Sequence, residues 1–475
     1  SARAHGDAGL GVALVGDEGS ALVVEVRGAK AEVVRRRGHE RELLSSHELP
    51  SEGAVPVMIR REDGPITITL AESLRVDVPA GDRPPSRVYL GTLEVGGAME
   101  LVSAEGYELL PEREDGAIER AEYRDLETGA RIIRLTHSPY HDKHAYYDIS
   151  PWSPDGSRIV VCSALPGQRA SAVWVMDADG TNLRKVGDST TFGMHTGNFP
   201  VWAPDGESIY YRTSYTDDSG ERVSGTARIY LAEGRVEYLP LAPRQVSWAT
   251  GRLLLMENKH DGERERGLYS AAPDGTDVKL LSLTEEIIAL SPSRDRHEQS
   301  PKLGLTNSKW SPDGTKAMVV LVGYDARGRQ NVKEIYIVNA DGSDLRFVMT
   351  FLHHHIWHPN SAQVIGNCED GLYIVNADGT DRRKITDLSQ GHPSFSPDGS
   401  LICTDCYGGE YRDSLVLIDV ATGEVEKLCN VPTVHGRSHE TGTHPHPCWS
   451  PDGKSLIYDS DETGHCQLYQ VFVED

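Results

Sequence analysis

The segment with the clearest chemical signature is THPHP at residues 443–447, in which two histidines stand two residues apart. Side chains two apart on a β-strand point to the same side, so His444 and His446 can share one ligand. Imidazole nitrogens suit Mn, Zn, Fe or Ni, whereas Ca prefers carboxylate oxygens. The spacing therefore predicts two ligands of a divalent metal ion.

Other histidines stand directly before a recurring phrase, aromatic-x-Pro-Asp-Gly. Five copies and two degenerate ones begin at Trp152, Trp202, Trp248, Trp310, Trp357, Phe395 and Trp449. Nine of the 19 histidines lie in the short segments before five of these copies: His141, His144, His195, His353, His354, His355, His392, His444 and His446. This concentration predicts one shared site to which several repeats contribute.

The elements that position these histidines are β-hairpins. Each copy is followed by an alternating run and a second strand with a turn, as in SRIVVCSA and VWVMDADG. Seven such units, about 40 to 60 residues each, predict an all-β, seven-bladed β-propeller with four strands per blade. The histidines then lie at the start of the innermost strands. Pro445 and Pro447 fit there, because an edge facing the channel tolerates missing N–H groups.

The two ends of the repeat region are expected to meet. The last blade has room for three strands, and residues 121–136 are expected to supply its outer strand, so that the N-terminal strand closes the ring. The propeller, with an active-site funnel, is assigned to residues 118–475. Residues 1–117 lack the repeat, and their alternating pattern predicts a small β-sandwich-like accessory domain.

Composition narrows the range of partners. The formal net charge is −24, from 72 acidic and 48 basic residues among 475, which argues against nucleic acid and anionic membranes. No apolar run is long enough to span a membrane, and no signal core is visible, so a bacterial cytoplasmic or periplasmic location is expected. The seven scattered cysteines do not suggest a disulfide framework, and the pair Cys403 and Cys406 is interpreted as buried thiols.

Residues 121–475 resemble the oligogalacturonate lyases, seven-bladed propellers that cleave short pectin fragments by β-elimination. The motifs that carry this resemblance are DLETGARIIRLT before the first blade, the blade phrases, and THPHP. The resemblance implies manganese held by His354, His444 and His446, with His392 as a further candidate. Thr441 stands where the family has a glutamine ligand. Propeller lyases that cleave other uronates, such as ulvan, are an equal comparison.

The family's base, a histidine, falls at Asn307 in this sequence, and its partner arginine falls near Arg266. Blade position therefore leads us to expect His195 or His144 as the base. Tyr147 or Tyr215 is expected to act as the acid, and Arg212 or Arg266 is expected to bind the substrate. Further substrate contacts are expected from Tyr215, His141, Asn307 and His392.

The predicted function is a metal-dependent lyase that acts on an acidic oligosaccharide. Elimination removes the C5 proton of a uronate beside its carboxylate, so a cation must neutralise that carboxylate and a base of near-neutral pKa must take the proton. One alternative is a non-catalytic TolB-like propeller that binds protein or glycan and needs no histidine cluster. Another is a metal-dependent sugar hydrolase or isomerase with the same histidines. The sequence leaves the oligomeric state open.

Overall fold

The computed structural model divides into two compact units, Ser1–Glu112 and Arg113–Asp475. It describes residues 115–116 and 119–473, apart from 218, 259–263, 389–390, 435 and 437–441. In the first unit it describes only the backbone of nine strands. Thr441 and the side chains of the first 112 residues lie outside the described residues.

The first unit contains two antiparallel sheets. The four-stranded sheet has the order β1-β2-β3-β4: β1 (Gly11–Val15), β2 (Ser20–Arg27), β3 (Lys30–Arg37) and β4 (Glu40–Glu48). The five-stranded sheet has the order β7-β6-β5-β8-β9: β5 (Gly53–Arg61), β6 (Ile66–Leu70), β7 (Leu74–Val78), β8 (Val88–Val95) and β9 (Glu100–Tyr107). The predicted β-sandwich depends on side-chain packing that lies outside the described residues.

The second unit confirms the prediction of seven antiparallel blades. Blade 1 contains β12 (His141–Lys143), β13 (Arg158–Ala164), β14 (Ser171–Asp177) and β15 (Arg184–Ser189). Blade 2 contains β16 (Val201–Trp202), β17 (Ser208–Thr216), β18 (Arg222–Tyr230) and β19 (Val236–Leu239). Blade 3 contains β20 (Gln245–Val246), β21 (Leu253–Glu257), β22 (Gly267–Ala271) and β23 (Lys279–Leu283).

The remaining blades continue this pattern. Blade 4 contains β24 (Lys302–Trp310), β25 (Lys316–Tyr324), β26 (Gln330–Asn339) and β27 (Arg346–Thr350). Blade 5 contains β28 (His353–Trp357), β29 (Gln363–Cys368), β30 (Gly371–Asn376) and β31 (Arg383–Thr386). Blade 6 contains β32 (Ser394–Phe395), β33 (Leu401–Cys406), β34 (Ser414–Asp419) and β35 (Val425–Asn430).

Blade 7 draws strands from both ends of the unit. It contains β10 (Ala121–Arg124), β11 (Arg131–Arg134), β36 (Cys448–Trp449), β37 (Ser455–Ser460) and β38 (Gln467–Phe472). Strand β11 pairs antiparallel with β38, through partners such as Ile133 and Gln470. Strands that come before blade 1 and after blade 6 in the chain therefore share one sheet.

The repeated phrase builds a turn and an anchor between blades. In the first copy the Ser153 hydroxyl and the Ser157 N–H donate to the Asp155 carboxylate, and Gly156 has a φ of +71° that glycine adopts without strain. The indole N–H of Trp202 donates to the Pro151 carbonyl of the preceding blade, at 2.8 Å. The aromatic ring of the phrase therefore holds neighbouring blades together.

Between blades 3 and 4 lie two short helices, α1 (Thr284–Leu290) and α2 (Arg294–His297). In the part of the chain that the structure describes, neither is long and apolar enough to cross a membrane. All seven cysteines are free and buried, Cys403 and Cys406 among them, as the sequence suggested. The hydrophobic core lies between adjacent blades, where side chains of facing sheets interdigitate.

Candidate functional site

The inner strands carry a backbone irregularity three residues before the blade aromatic. Four non-glycine residues at this position have left-handed φ angles between +40° and +61°: Phe199, Asn307, His354 and His446. At His354 the cause is a bulge, because its neighbours His353 and His355 pair with the consecutive residues Asn367 and Gly366. Such conformations cost about 1–3 kcal/mol each and collect at functional sites.

Five imidazoles from the innermost segments meet at the axis of the propeller. We call His195, His354, His392, His444 and His446 the histidine cluster. The ring centroid of His392 lies 4.0 Å from that of His354 and 4.2 Å from that of His446. The ring centroid of His195 lies 4.9 Å from that of His444 and 4.9 Å from that of His446. Segments of blades 2, 5, 6 and 7 therefore contribute to one site.

Three members of the cluster are arranged to hold a metal ion. One nitrogen from each of His195, His444 and His446 lies within 4.8 Å of the other two. His446 is fully buried, and both its nitrogens lack a hydrogen-bond partner. Burial, with the neighbouring histidines, lowers the pKa of His446 well below its usual value, so the ring is neutral at pH 7. A neutral, buried imidazole without a hydrogen-bond partner, beside two further imidazoles, fits a divalent ion.

This triad differs from the predicted ligand set in one member. His195, expected as a base, lies with His444 and His446, whereas the predicted ligand His354 is outside the group. His354 lies against His392 and Tyr147 instead. Its pKa is lowered well below the usual value, mainly by burial and by His392, so it is also a neutral imidazole at pH 7.

His392 is oriented by a carboxylate. Its Nδ1 lies 2.9 Å from Oδ2 of the buried Asp405, and the Tyr407 hydroxyl donates to the same carboxylate at 2.7 Å. Burial would raise the pKa of Asp405, but the charge and hydrogen bonds of His392 and Tyr407 outweigh it, so the pKa is lowered. The buried Nε2 of His392 has no hydrogen-bond partner, so in a neutral ring whose Nδ1–H is held by the carboxylate, Nε2 would present its lone pair.

A buried ion pair supports the segment that carries His446. The Lys143 ammonium lies 2.6 Å from the Asp459 carboxylate, and both side chains are fully buried. The Asp459 N–H donates to the Pro445 carbonyl at 2.9 Å. His144, predicted as a base, is also fully buried here, with its ring against His446 and Nε2 3.9 Å from Asp459. His144 therefore packs against His446 from the side of this ion pair.

Tyr147, predicted as an acid, belongs to a buried network. Its hydroxyl donates to the His355 carbonyl at 2.9 Å and lies 3.0 Å from the Lys309 ammonium, which in turn pairs with Asp148. Burial, with the charge of Asp148, raises the pKa of Tyr147 well above its usual value. These bonds assign Tyr147 a structural role. Tyr146, the preceding residue, instead contacts three cluster rings, including His446 at 4.7 Å.

Four other predicted site residues have their described contacts outside the cluster. Tyr215 stacks on Tyr238 of the outermost strand of blade 2. Arg266 donates to the Leu303 carbonyl and lies 3.5 Å from a carboxylate oxygen of Glu285. The Asn307 carbonyl lies 3.3 Å from the His355 ring, and Nδ1 of His141 accepts the Cys466 N–H. These contacts connect scaffold elements.

Sequence reasoning missed four residues of the site: Asp405, Tyr407, Tyr146 and Arg244. Asp405 lies near the end of the second strand of blade 6 and Tyr407 directly follows that strand, away from the histidine-bearing segments. Tyr146 lies between two residues that were singled out, and Arg244 stands four residues before Trp248. A search of every inner segment for polar residues, rather than for histidines alone, would have found the last two.

Comparison with known proteins identifies the architecture. No family model and no curated protein matches the sequence. A solved structure of an oligogalacturonate lyase in complex with manganese is 16% identical, with a TM-score of 0.58, over 76% of this chain and 99% of its own. Oligogalacturonate lyase from Vibrio parahaemolyticus is 14% identical, with the same TM-score and the same coverage of both chains. The chain thus contains a seven-bladed β-propeller similar in fold to that of the oligogalacturonate lyases.

Proposed function

We propose that this protein is a metal-dependent lyase that cleaves uronic-acid-containing oligosaccharides by β-elimination. The observation that carries the proposal is the triad of His195, His444 and His446, with its nitrogens within 4.8 Å of one another at the axis of the propeller. The similarity in fold to the oligogalacturonate lyases supports it.

The proposed ligands of the ion are His195, His444 and His446, and manganese is the metal we expect. A divalent ion bound there supplies positive charge that offsets the substrate carboxylate and makes the neighbouring C5 proton more acidic. The surrounding rings exclude water, which strengthens every charge interaction inside the site.

His392 is the proposed base, in place of His195 and His144. Asp405 holds Nδ1 and stabilises the imidazolium that forms when Nε2 accepts the C5 proton, the same role that a carboxylate plays behind a histidine in acyl-transfer enzymes. The electron pair of the C–H bond becomes the C4=C5 double bond, and the C4–O bond breaks. Tyr146 is the proposed donor to the leaving oxygen, because burial raises its pKa and keeps it protonated at neutral pH.

The test is to incubate the full chain with uronate oligomers and to follow the ultraviolet absorbance of the unsaturated product, with elemental analysis of the same samples. His446→Ala should lose both metal and activity, whereas His392→Gln should retain metal and lose activity. His358→Ala is the matched control, because His358 is a partly buried histidine of blade 5 whose ring packs on Phe395.

Product mass separates this proposal from a hydrolase, since elimination adds no water and hydrolysis does. Full activity in His446→Ala, or after exhaustive chelation, would contradict the metal assignment. Binding of an oligosaccharide without any product would instead favour a non-catalytic glycan-binding propeller.

A further inference from the structure

Near the histidine cluster, two arginines flank the aromatic ring of Phe199. The guanidinium carbons of Arg212 and Arg244 lie 4.4 Å and 4.8 Å from the centroid of Phe199. Phe199 is one of the residues with a left-handed φ, and it occupies the position in blade 2 that His446 occupies in blade 7. Blade 2 therefore carries an arginine close to the segment that contributes His195 to the triad.

These arginines have spare hydrogen-bond donors. Arg244 is 6% exposed, and two of its bonds go to the Asp148 carboxylate, but its Nη1 is buried without a partner. Nε of Arg212 is likewise buried without a partner. Among the residues that the structure describes, no carboxylate pairs with Arg212. Burial, together with the charge of Arg244, lowers the pKa of Arg212 to about 10, so Arg212 is still charged at pH 7.

The local charge is not balanced by protein groups. Asp148 also lies 3.1 Å from the Lys309 ammonium, so a single described carboxylate pairs with both Lys309 and Arg244, and none pairs with Arg212. This excess of positive charge occurs in a chain whose net charge is −24. Buried charges without counter-charges are costly, and a bound anion is the usual compensation.

The arginine pair lies next to the proposed catalytic centre. The ring of Tyr146 has Arg244 on one side, at 5.6 Å, and His195 and His446 on another, at 5.1 Å and 4.7 Å. One aromatic side chain therefore separates the Arg244 guanidinium from the triad. A ligand that reaches the triad can present a second group to the arginines.

We propose that Arg212 and Arg244 form an anion subsite that binds a second acidic group of the substrate, distinct from the carboxylate that faces the metal ligands. This inference rests on the proposed function for the identity of the ligand, but the anion site stands on its own contacts. A carboxylate of a neighbouring sugar and a sulfate ester share the required chemistry, because both offer oxygens to a guanidinium. The substrate is therefore an oligosaccharide with at least two anionic groups.

Calorimetric titration with inorganic sulfate at low ionic strength tests the subsite without catalysis. The full chain, both as purified and after chelation, should bind sulfate, and Arg212→Gln should weaken that binding at least tenfold. Arg228→Gln is the matched control, because Arg228 also stacks on rings in blade 2, those of Tyr210 and Tyr230, and should bind sulfate as the wild type does. Arg244→Lys, which keeps a charge beside Asp148, provides a second variant.

Two substrate arms identify the source of the anion. If the subsite binds a carboxylate, Arg212→Gln should raise the KM for an unsulfated uronate trisaccharide. If the subsite binds a sulfate ester, Arg212→Gln should raise the KM only for a sulfated uronate trisaccharide. Equal sulfate affinity in the wild type and Arg212→Gln, or no sulfate binding by the wild type, overturns the subsite. Absence of unsaturated product from every substrate, with sulfate binding intact, overturns the lyase proposal and leaves the subsite standing.

Discussion

The ion pair of Lys143 and Asp459 gives the sharpest prediction about how the site is held. Both side chains are fully buried, 2.6 Å apart, and Asp459 also holds the Pro445 carbonyl of the segment that carries His446. Asp459→Asn keeps the shape of the side chain but leaves the ammonium without its counter-charge. Removing one partner of a buried pair typically costs about 3–5 kcal/mol of unfolding free energy.

The structure also sets an upper limit on this cost. An unpaired lysine can escape the penalty by losing its proton. At pH 7 this deprotonation costs at most about 5 kcal/mol, because pH 7 lies about 3.4 units below an ordinary lysine pKa of about 10.4 and each unit is worth about 1.4 kcal/mol. In the wild type, Asp459 outweighs the effect of burial and raises the pKa of Lys143, so its contribution is present throughout pH 7 to 10. In Asp459→Asn the folded pKa falls below the unfolded value, so the lost stability returns as pH rises towards 10.

Urea unfolding followed by tryptophan fluorescence measures this difference, because all seven tryptophans lie in the propeller, between Trp152 and Trp449. Asp459→Asn should be destabilised by about 3–5 kcal/mol at pH 7 and by less at pH 9.5. Asp188→Asn, which breaks an exposed pair with Lys185, should cost less than about 0.5 kcal/mol. A loss below about 1 kcal/mol, or one that does not change with pH, would refute the reasoning.

Three further predictions concern the site and its supports. Asp405→Asn should lower the turnover rate about 10- to 100-fold while the bound metal content stays within error, since the carboxylate orients His392; unchanged kinetics would contradict that role. Tyr147→Phe should lower the unfolding free energy by about 1–3 kcal/mol, because the Tyr147 hydroxyl bridges Lys309 and the His355 carbonyl. The pH profile of the turnover rate should stay unchanged. If the profile loses one limb, Tyr147 is the catalytic acid after all. Burial lowers the pKa of Lys309 to about 8, so between about pH 8 and 10 this lysine is deprotonated in the folded protein but protonated in the unfolded chain. The unfolding free energy of the wild type should therefore rise relative to that of Lys309→Met over this range, as measured by urea titrations of both proteins. A difference that stays constant with pH would contradict the lowered pKa.

The blade architecture could be predicted because its signals are local. The turn at Asp155 is made by Ser153, Gly156 and Ser157, all within a few residues, so its sequence pattern is the same wherever it occurs. Alternating strands and a repeated aromatic then set the number of blades. The concentration of histidines before the repeats could be read from the sequence for the same reason, and it predicted that several repeats contribute histidines to one cluster at the axis.

The arrangement within the site could not be predicted, because it depends on contacts between distant segments. The backing of His392 by Asp405 requires β33 to end beside the segment that leads into β32, and the pairing of Arg244 with Asp148 joins blades 1 and 3. The position of His195 beside His444 depends on a loop of blade 2 meeting the last blade across the closed ring. Sequence spacing contains none of these distances.

By itself, the sequence determined that seven hairpin repeats form a ring and that histidines lie close to its innermost strands, since both follow from local turn chemistry and from the repeat. The predicted strand through His444 and His446 is wrong, because β36 begins only at Cys448 and His446 has a left-handed φ. Only the tertiary structure decided that His195 joins His444 and His446, that His144 is buried behind them, and that Arg244, which shares the Phe199 ring with Arg212, lies against Tyr146. The physical reason is that ring closure brings side chains from different blades to one axis, where the bulge at His354 and the left-handed backbone at His446 and Phe199 set the level of each side chain.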